Sequence, residues 1–229
     1  SSDLPDLQLT DDQPFACALD GKGRAKPFDL LTSDIWSTSA ATLWTHLDYS
    51  NDQHRQWLST EASLDPLVVE ALLAEDTRPR VTSFADGLLI ALRGINHTPE
   101  GEPEDMVSIR LWLTKGRIIT TRRRDLLSIS DIIDQLNRGK GACCAGDFMT
   151  TLVHLLVWRM TDTIEQFEDE AADMEDRILE TGDTSLRFDI ASLRRRSIKL
   201  RRYLAPERDA LSRLVGEKAA WLDDASRLR

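Results

Sequence analysis

The stretch VSIRLWLTKGRIITTR, residues 107–122, decides the fold. Val107, Ile109, Leu111 and Leu113 alternate with Ser108, Arg110 and Trp112, and a period of two is the period of a strand. Lys115-Gly116 turns the chain, and 117–122 returns as a second strand. Just upstream, 81–84 and 88–95 flank Asp86-Gly87, a strong hairpin turn. These segments together predict an antiparallel meander. Working outward, Phe15–Leu19 reads as a strand, Asp20-Gly21-Lys22-Gly23 as a turn, and 25–28 as its hairpin partner. Residues 43–49 alternate as a half-buried strand should. Helices are expected over 52–58, over 66–74 and over 128–138. The second opens on Asp65-Pro66, an N-cap followed by proline at the first helical position, with Val68, Val69, Leu72 and Leu73 facing inward. The third closes at Gly139. Residues 1–14 read as an irregular polar arm.

The character changes at residue 147. No Pro or Gly occurs from 147 to 180. Leu152, Leu156, Met160, Thr163, Phe167, Ala171, Met174 and Ile178 step by three and four, which predicts a helix roughly 50 Å long. Thr181-Gly182-Asp183 stops it. A second helix is expected from about 184 to Arg229, with Leu193, Leu200, Leu204, Leu211, Val215 and Leu222 on its buried side. Pro206 should kink it or leave a carbonyl free, and Gly216 weakens it without ending it. Residues 162–183 hold ten acidic groups and one basic, whereas 187–202 hold seven basic and one acidic. Opposite charge and matching apolar seams predict an antiparallel helical hairpin. The division is thus an α/β body over 1–146 and a long hairpin over 147–229. Because the last helix meets no stop signal, the chain is expected to belong to a larger assembly.

With 229 residues the chain can bury a core without metal or disulfide staples. Its net charge of −10 disfavours generic nucleic-acid binding. Cys17, Cys143 and Cys144 are odd in number, and the adjacent pair fits neither a zinc ribbon nor a redox pair, so reduced intracellular thiols are expected. The opening residues carry no signal-peptide pattern, so none is expected. The longest apolar run, 152–158, is too short to cross a bilayer.

No catalytic motif is present: there is no GxSxG, no phosphate-binding glycine loop, no HExxH and no CxxC. The expectation is therefore a protein that is not an enzyme and holds no cofactor; a hydrolase built on clustered carboxylates would lack its histidine. His46, His54, His97 and His154 lack metal-ligand spacing. His154 is read as packed on an apolar helix face, and His46 as an outward, surface side chain. Asp162, Glu165, Asp169, Asp173, Asp176 and Glu180 step by three and four and form one stripe. Hard cations take oxygen ligands, so the stripe can concentrate divalent metal; equally, it is a solvated face that pairs with the arginines of the next helix. Asp223 and Asp224 are further candidate metal ligands. The triplets at 122–124 and 194–196 read as structural ion-pairing groups.

Residues 72–80, LLAEDTRPR, and 87–96, GLLIALRGIN, resemble the CorA family of divalent-metal transporters. Residues 103–112, PEDMVSIRLW, and Arg122-Arg123-Arg124 are similar to its ZntB zinc-transporter branch, as are 44–49 and 200–208. The resemblance implies an α+β fold: an α/β/α sandwich with a mixed, largely antiparallel sheet, followed by a long antiparallel helical hairpin serving as a stalk. It also implies a homopentamer in the cell inner membrane, with this chain on the cytoplasmic side and membrane helices in segments absent here. Zinc or another divalent cation would be the transported or regulatory ion. The alternative is a soluble oligomeric scaffold built on the helical hairpin.

Overall fold

A computed structural model describes residues 5–10, 13–181 and 186–217. Seven strands form one sheet in the order β2-β1-β3-β7-β6-β5-β4. They are β1 (Phe15–Leu19), β2 (Ala25–Pro27), β3 (Leu43–Asp48), β4 (Arg80–Ser83), β5 (Leu88–Gly94), β6 (Val107–Leu113) and β7 (Arg117–Arg122). The meander over β4 to β7 is antiparallel throughout, with Ile90 opposite Leu111 and Leu111 opposite Thr120. The hairpin of β1 and β2 joins through β3, also antiparallel. One parallel contact, β3 on β7, welds the two halves. The sheet is therefore mixed and largely antiparallel, as expected.

Helices cover both faces. Strand alternation sends Leu88, Ile90, Leu92, Ile109, Leu111 and Leu113 to one side, where they meet α4 (Leu127–Asn137), α5 (Ala145–Thr181) and α6 (Arg187–Gly216). Leu89, Trp112 and Ile119 point the other way. There they pack under α1 (Ile35–Thr38), α2 (Asp52–Thr60) and α3 (Pro66–Leu73), with Trp36, Trp57, Val68 and Leu72 in the layer. Burying each alternate set against its own helical layer is what makes an α/β/α sandwich. A Cβ on Gly94 would lie 2.5 Å from Leu126 and 2.8 Å from Leu156, so glycine there lets β5 meet the layer of α5.

The starts of α2 and α3 follow local chemistry. The Asn51 side chain accepts from the backbone N–H groups of Gln53 and His54, and Asp65 accepts from Leu67 ahead of Pro66. After α4, Gly139 takes φ +71°, the left-handed value glycine adopts most readily. Short α1 carries no periodic pattern and was not expected.

Several inward and outward assignments are corrected. His46, read as a surface residue, is 4% exposed and hydrogen-bonds to the Thr120 hydroxyl at 2.7 Å. A strand covered on both faces buries its polar positions too. His154, read as packed, is exposed. In α3, Val68 and Leu72 are fully buried, while Val69 and Leu73 are only half so. The α5 seam is buried from Leu152 to Phe167 and then opens, leaving Ile178 exposed. Val215 also faces solvent, and Leu214 takes its place inside. The last helix is described to Gly216, with Glu217 in extended backbone, and its expected continuation to Arg229 falls outside the described residues. Leu222 lies outside the described residues.

Candidate functional site

The place where α6 meets the sheet concentrates the buried charge of the molecule. Residues Leu200, Leu204, Glu207, Leu211 and Leu214 step by four and three along α6. A carboxylate thus occupies the middle of an apolar series. Glu207 is 2% exposed. Its two oxygens accept the backbone N–H of Arg93 at 3.2 and 3.1 Å. The reason lies in the sheet edge. Strand β4 starts at Arg80, opposite Ala91, so it supplies no partner for Arg93 two residues further along β5. An unmet buried donor is costly, and Glu207 satisfies it. Burial pushes the Glu207 carboxyl up to about 8, against the opposing pull of the Arg93 N–H and guanidinium. Next to it, Pro206 has no N–H, so the carbonyl four residues back has no helical donor.

The Arg93 side chain completes the contact. Its guanidinium donates to the carbonyls of Thr77 and Met106 and to Asp76, and lies 4.1 Å from the centre of the Tyr203 ring on α6. One residue thereby ties β5, the segment before β4, the loop before β6 and α6 together. Arg196 does the same further along α6. It reaches Glu104 at 3.3 Å and Glu170 of α5 at 2.6 Å, and stacks over Phe167 at 4.5 Å. Glu104 is 2% exposed, so this is a buried carboxylate matched by one cation. These contacts hold α6 against the sheet and against α5 at once.

The acidic stripe is built differently. Asp162, Glu165, Asp169, Asp173, Asp176 and Glu180 all lie exposed along α5. Among the described residues, the ion pairs joining α5 to α6 are Glu170 with Arg196 and Arg177 with Asp189, neither of which uses the stripe. Among those residues, no three His, Cys, Asp or Glu side chains converge as a metal ion requires. Asp223 and Asp224 lie outside the described residues. All three cysteines are free, Cys17 buried and Cys143 and Cys144 exposed. The arginine triplets divide: Arg122 pairs with Asp48 and Asp125, and Arg196 joins the buried network. Arg123, Arg124, Arg194 and Arg195 remain exposed. Among the described residues no helix is long and apolar enough to cross a membrane.

Sequence reading found the stripe but missed Glu207, Arg93 and Glu104. The available signal was the break in the apolar series at 207, directly after a helical proline.

The sequence pattern of the family described as "CorA-like Mg2+ transporter protein" matches residues 39–229. The zinc transport protein ZntB of Yersinia enterocolitica is 36% identical over 223 residues, covering 97% of this chain and 67% of that protein. ZntB of Cronobacter sakazakii is 38% identical over 218 residues, covering 95% and 65%. The chain thus spans about two thirds of the length of these relatives. Among solved structures, full-length CmaX superposes with a TM-score of 0.81 at 31% identity, over 96% of this chain and 69% of that one. The ZntB cytoplasmic domain from Vibrio parahaemolyticus gives 0.77 at 20% identity, over 93% and 84%, a likeness of fold.

Proposed function

The chain belongs to the family of CorA-like Mg2+ transporter proteins, and from that premise we propose that it is the cytoplasmic domain of a zinc transporter of the cell inner membrane. The family is one of transporters, not of enzymes. The observation that carries the zinc reading is the 36% identity, over 97% of the chain, to a zinc transport protein. The unmatched third of such relatives has room for membrane-spanning segments. In this reading zinc, or another divalent cation, is cargo or regulator, and the partners are identical subunits in a homopentamer.

Two features of the chain suit that role. The exposed stripe from Asp162 to Glu180 is a row of carboxylates that α6 leaves to solvent. A row of like charges raises the local concentration of divalent cations without a tight site. Repeated around a symmetry axis, five such rows would deepen the effect. Helix α6 is the coupling element. Glu207 and Tyr203 engage Arg93 of β5, and Arg196 engages Glu104, so a displacement of α6 is transmitted to the sheet.

The test is zinc flux into vesicles carrying the full-length protein. Saturable zinc uptake supports the reading. Clear magnesium or nickel flux with no zinc flux would overturn the zinc assignment.

A further inference from the structure

A cavity of about 600 Å³ opens beside Tyr203, where the end of β5, the loop before β6, the segment after β7 and α6 come together. Its lining includes Arg93, Arg123, Arg124 and Arg202, drawn from three separate parts of the chain. The carboxylates in the same lining are partly engaged. Asp76 pairs with Arg93, and its side chain is 84% exposed, so water screens it. Asp105 pairs with Lys199 at 3.1 Å. Glu75 completes the set.

A fifth arginine lies behind the lining. Arg110 is 1% exposed. It donates to the Glu75 carbonyl at 3.2 Å and stacks 4.8 Å from the centre of the Tyr49 ring, and both of those residues line the cavity. Its Nε and Nη1 atoms are buried without a hydrogen-bond partner. No carboxylate forms an ion pair with it among the described residues. A buried guanidinium without a direct ion pair is costly, and the attraction of Asp76 offsets this only in part because Asp76 is already paired with Arg93. The cavity therefore carries surplus positive charge inside a chain whose net charge is −10.

We propose that this cavity binds a soluble anion bearing a di- or triphosphate group, held by Arg123 and Arg124 on one side and Arg202 on the other. Guanidinium groups match phosphate oxygens with paired donors, which is why arginine dominates such sites. The volume falls in the range of small-molecule sites and leaves room for an organic portion beyond the phosphates. Such a ligand would bridge the segment after β7 to α6. The binding site rests on these residues alone and does not depend on the transport reading.

Titration calorimetry of the purified chain with inorganic pyrophosphate and, separately, with ADP tests it, at fixed ionic strength with chelator present. The expected result is saturable binding, weakened at least tenfold in the double variant Arg124→Gln/Arg202→Gln. Both side chains are exposed, so the variant should fold, as circular dichroism can verify. The control Arg195→Gln, also exposed but outside the cavity, should bind as the wild type does. Absence of binding by both probes would overturn the proposal, as would equal loss in the control. Capture by phosphatidylglycerol vesicles without binding of either soluble probe would overturn it in favour of a lipid headgroup.

Discussion

The acidic stripe of α5 and Glu207 of α6 set their carboxyl groups in opposite surroundings. On α5 the six stripe residues form an exposed row that the protein leaves to water. On α6, Glu207 is buried, and it faces a backbone N–H that the sheet edge leaves unmatched. Glu104, in the loop before β6, follows the second pattern and is held by Arg196. The same chemical group thus forms an exposed row in one place and a buried contact between helix and sheet in the other. Removing a fastener should damage the fold. Removing part of the surface should leave the fold intact and change only what the surface attracts.

The largest effect is expected at Arg196. Arg196→Ala leaves Glu104 buried without its cation, and also frees Glu170. Loss of one partner of a fully buried pair costs about 3–5 kcal/mol, and because the Arg196 side chain is 28% exposed about 2–4 kcal/mol is expected here. Urea denaturation should show a lower midpoint with an unchanged slope. A loss below about 1 kcal/mol would mean that Glu104 is not a fastener.

Glu207 should give an intermediate effect with a distinctive pH signature. Its folded-state value is about 8, whereas the ordinary value is 4.5. Between those values the folded protein keeps a proton that the unfolded chain releases. Stability from this group is therefore fully present below about 4.5 and is lost as pH rises toward 8. Buried His46 has the opposite slope at lower pH. Burial depresses it to about 3, so its contribution falls as pH drops below 6.5. From pH 6.5 to 8 the slope of Glu207 should therefore stand clear of that of His46. Wild-type stability should drop by about 1–2 kcal/mol over this window. Glu207→Gln can still accept from Arg93 and should flatten the drop. Identical pH profiles for the two proteins would show that Glu207 does not titrate there.

These contrasts also explain what could be read in the sequence. The meander from β4 to β7 was legible because its alternation is strict and Asp86-Gly87 and Lys115-Gly116 punctuate it. The hairpin of α5 and α6 was legible from its seam as far as Phe167, whereas of its charges only Glu170 with Arg196 follows the expected acid-on-α5, base-on-α6 pairing among the described residues. His46 was misjudged because alternation marks the two faces of a strand without telling whether both are covered. Glu207 was overlooked for a different reason, although it breaks the apolar series of α6 directly after Pro206. A carboxylate in a helix reads as solvent-facing until the unpaired donor at the end of β5 is known, and that donor lies 114 positions away in sequence. The partners of Arg93 are likewise carbonyls at Thr77 and Met106, set in place by the fold. The stripe needed no tertiary knowledge, since its spacing alone places it on one face.

The smallest structural effect is expected on that stripe. Asp169→Lys with Asp173→Lys should change stability by less than about 0.5 kcal/mol, because both are exposed and have no ion partner among the described residues. Thermal denaturation would reveal any larger change.

The same double variant carries the most direct functional test. Zinc uptake into vesicles should be compared between the full-length wild type and Asp169→Lys/Asp173→Lys, at low and at saturating zinc. Cation gathering by α5 predicts slower uptake at low zinc and recovery toward the wild-type rate at saturation. Uptake unchanged at low zinc would contradict it and leave the stripe as a solvated helix face.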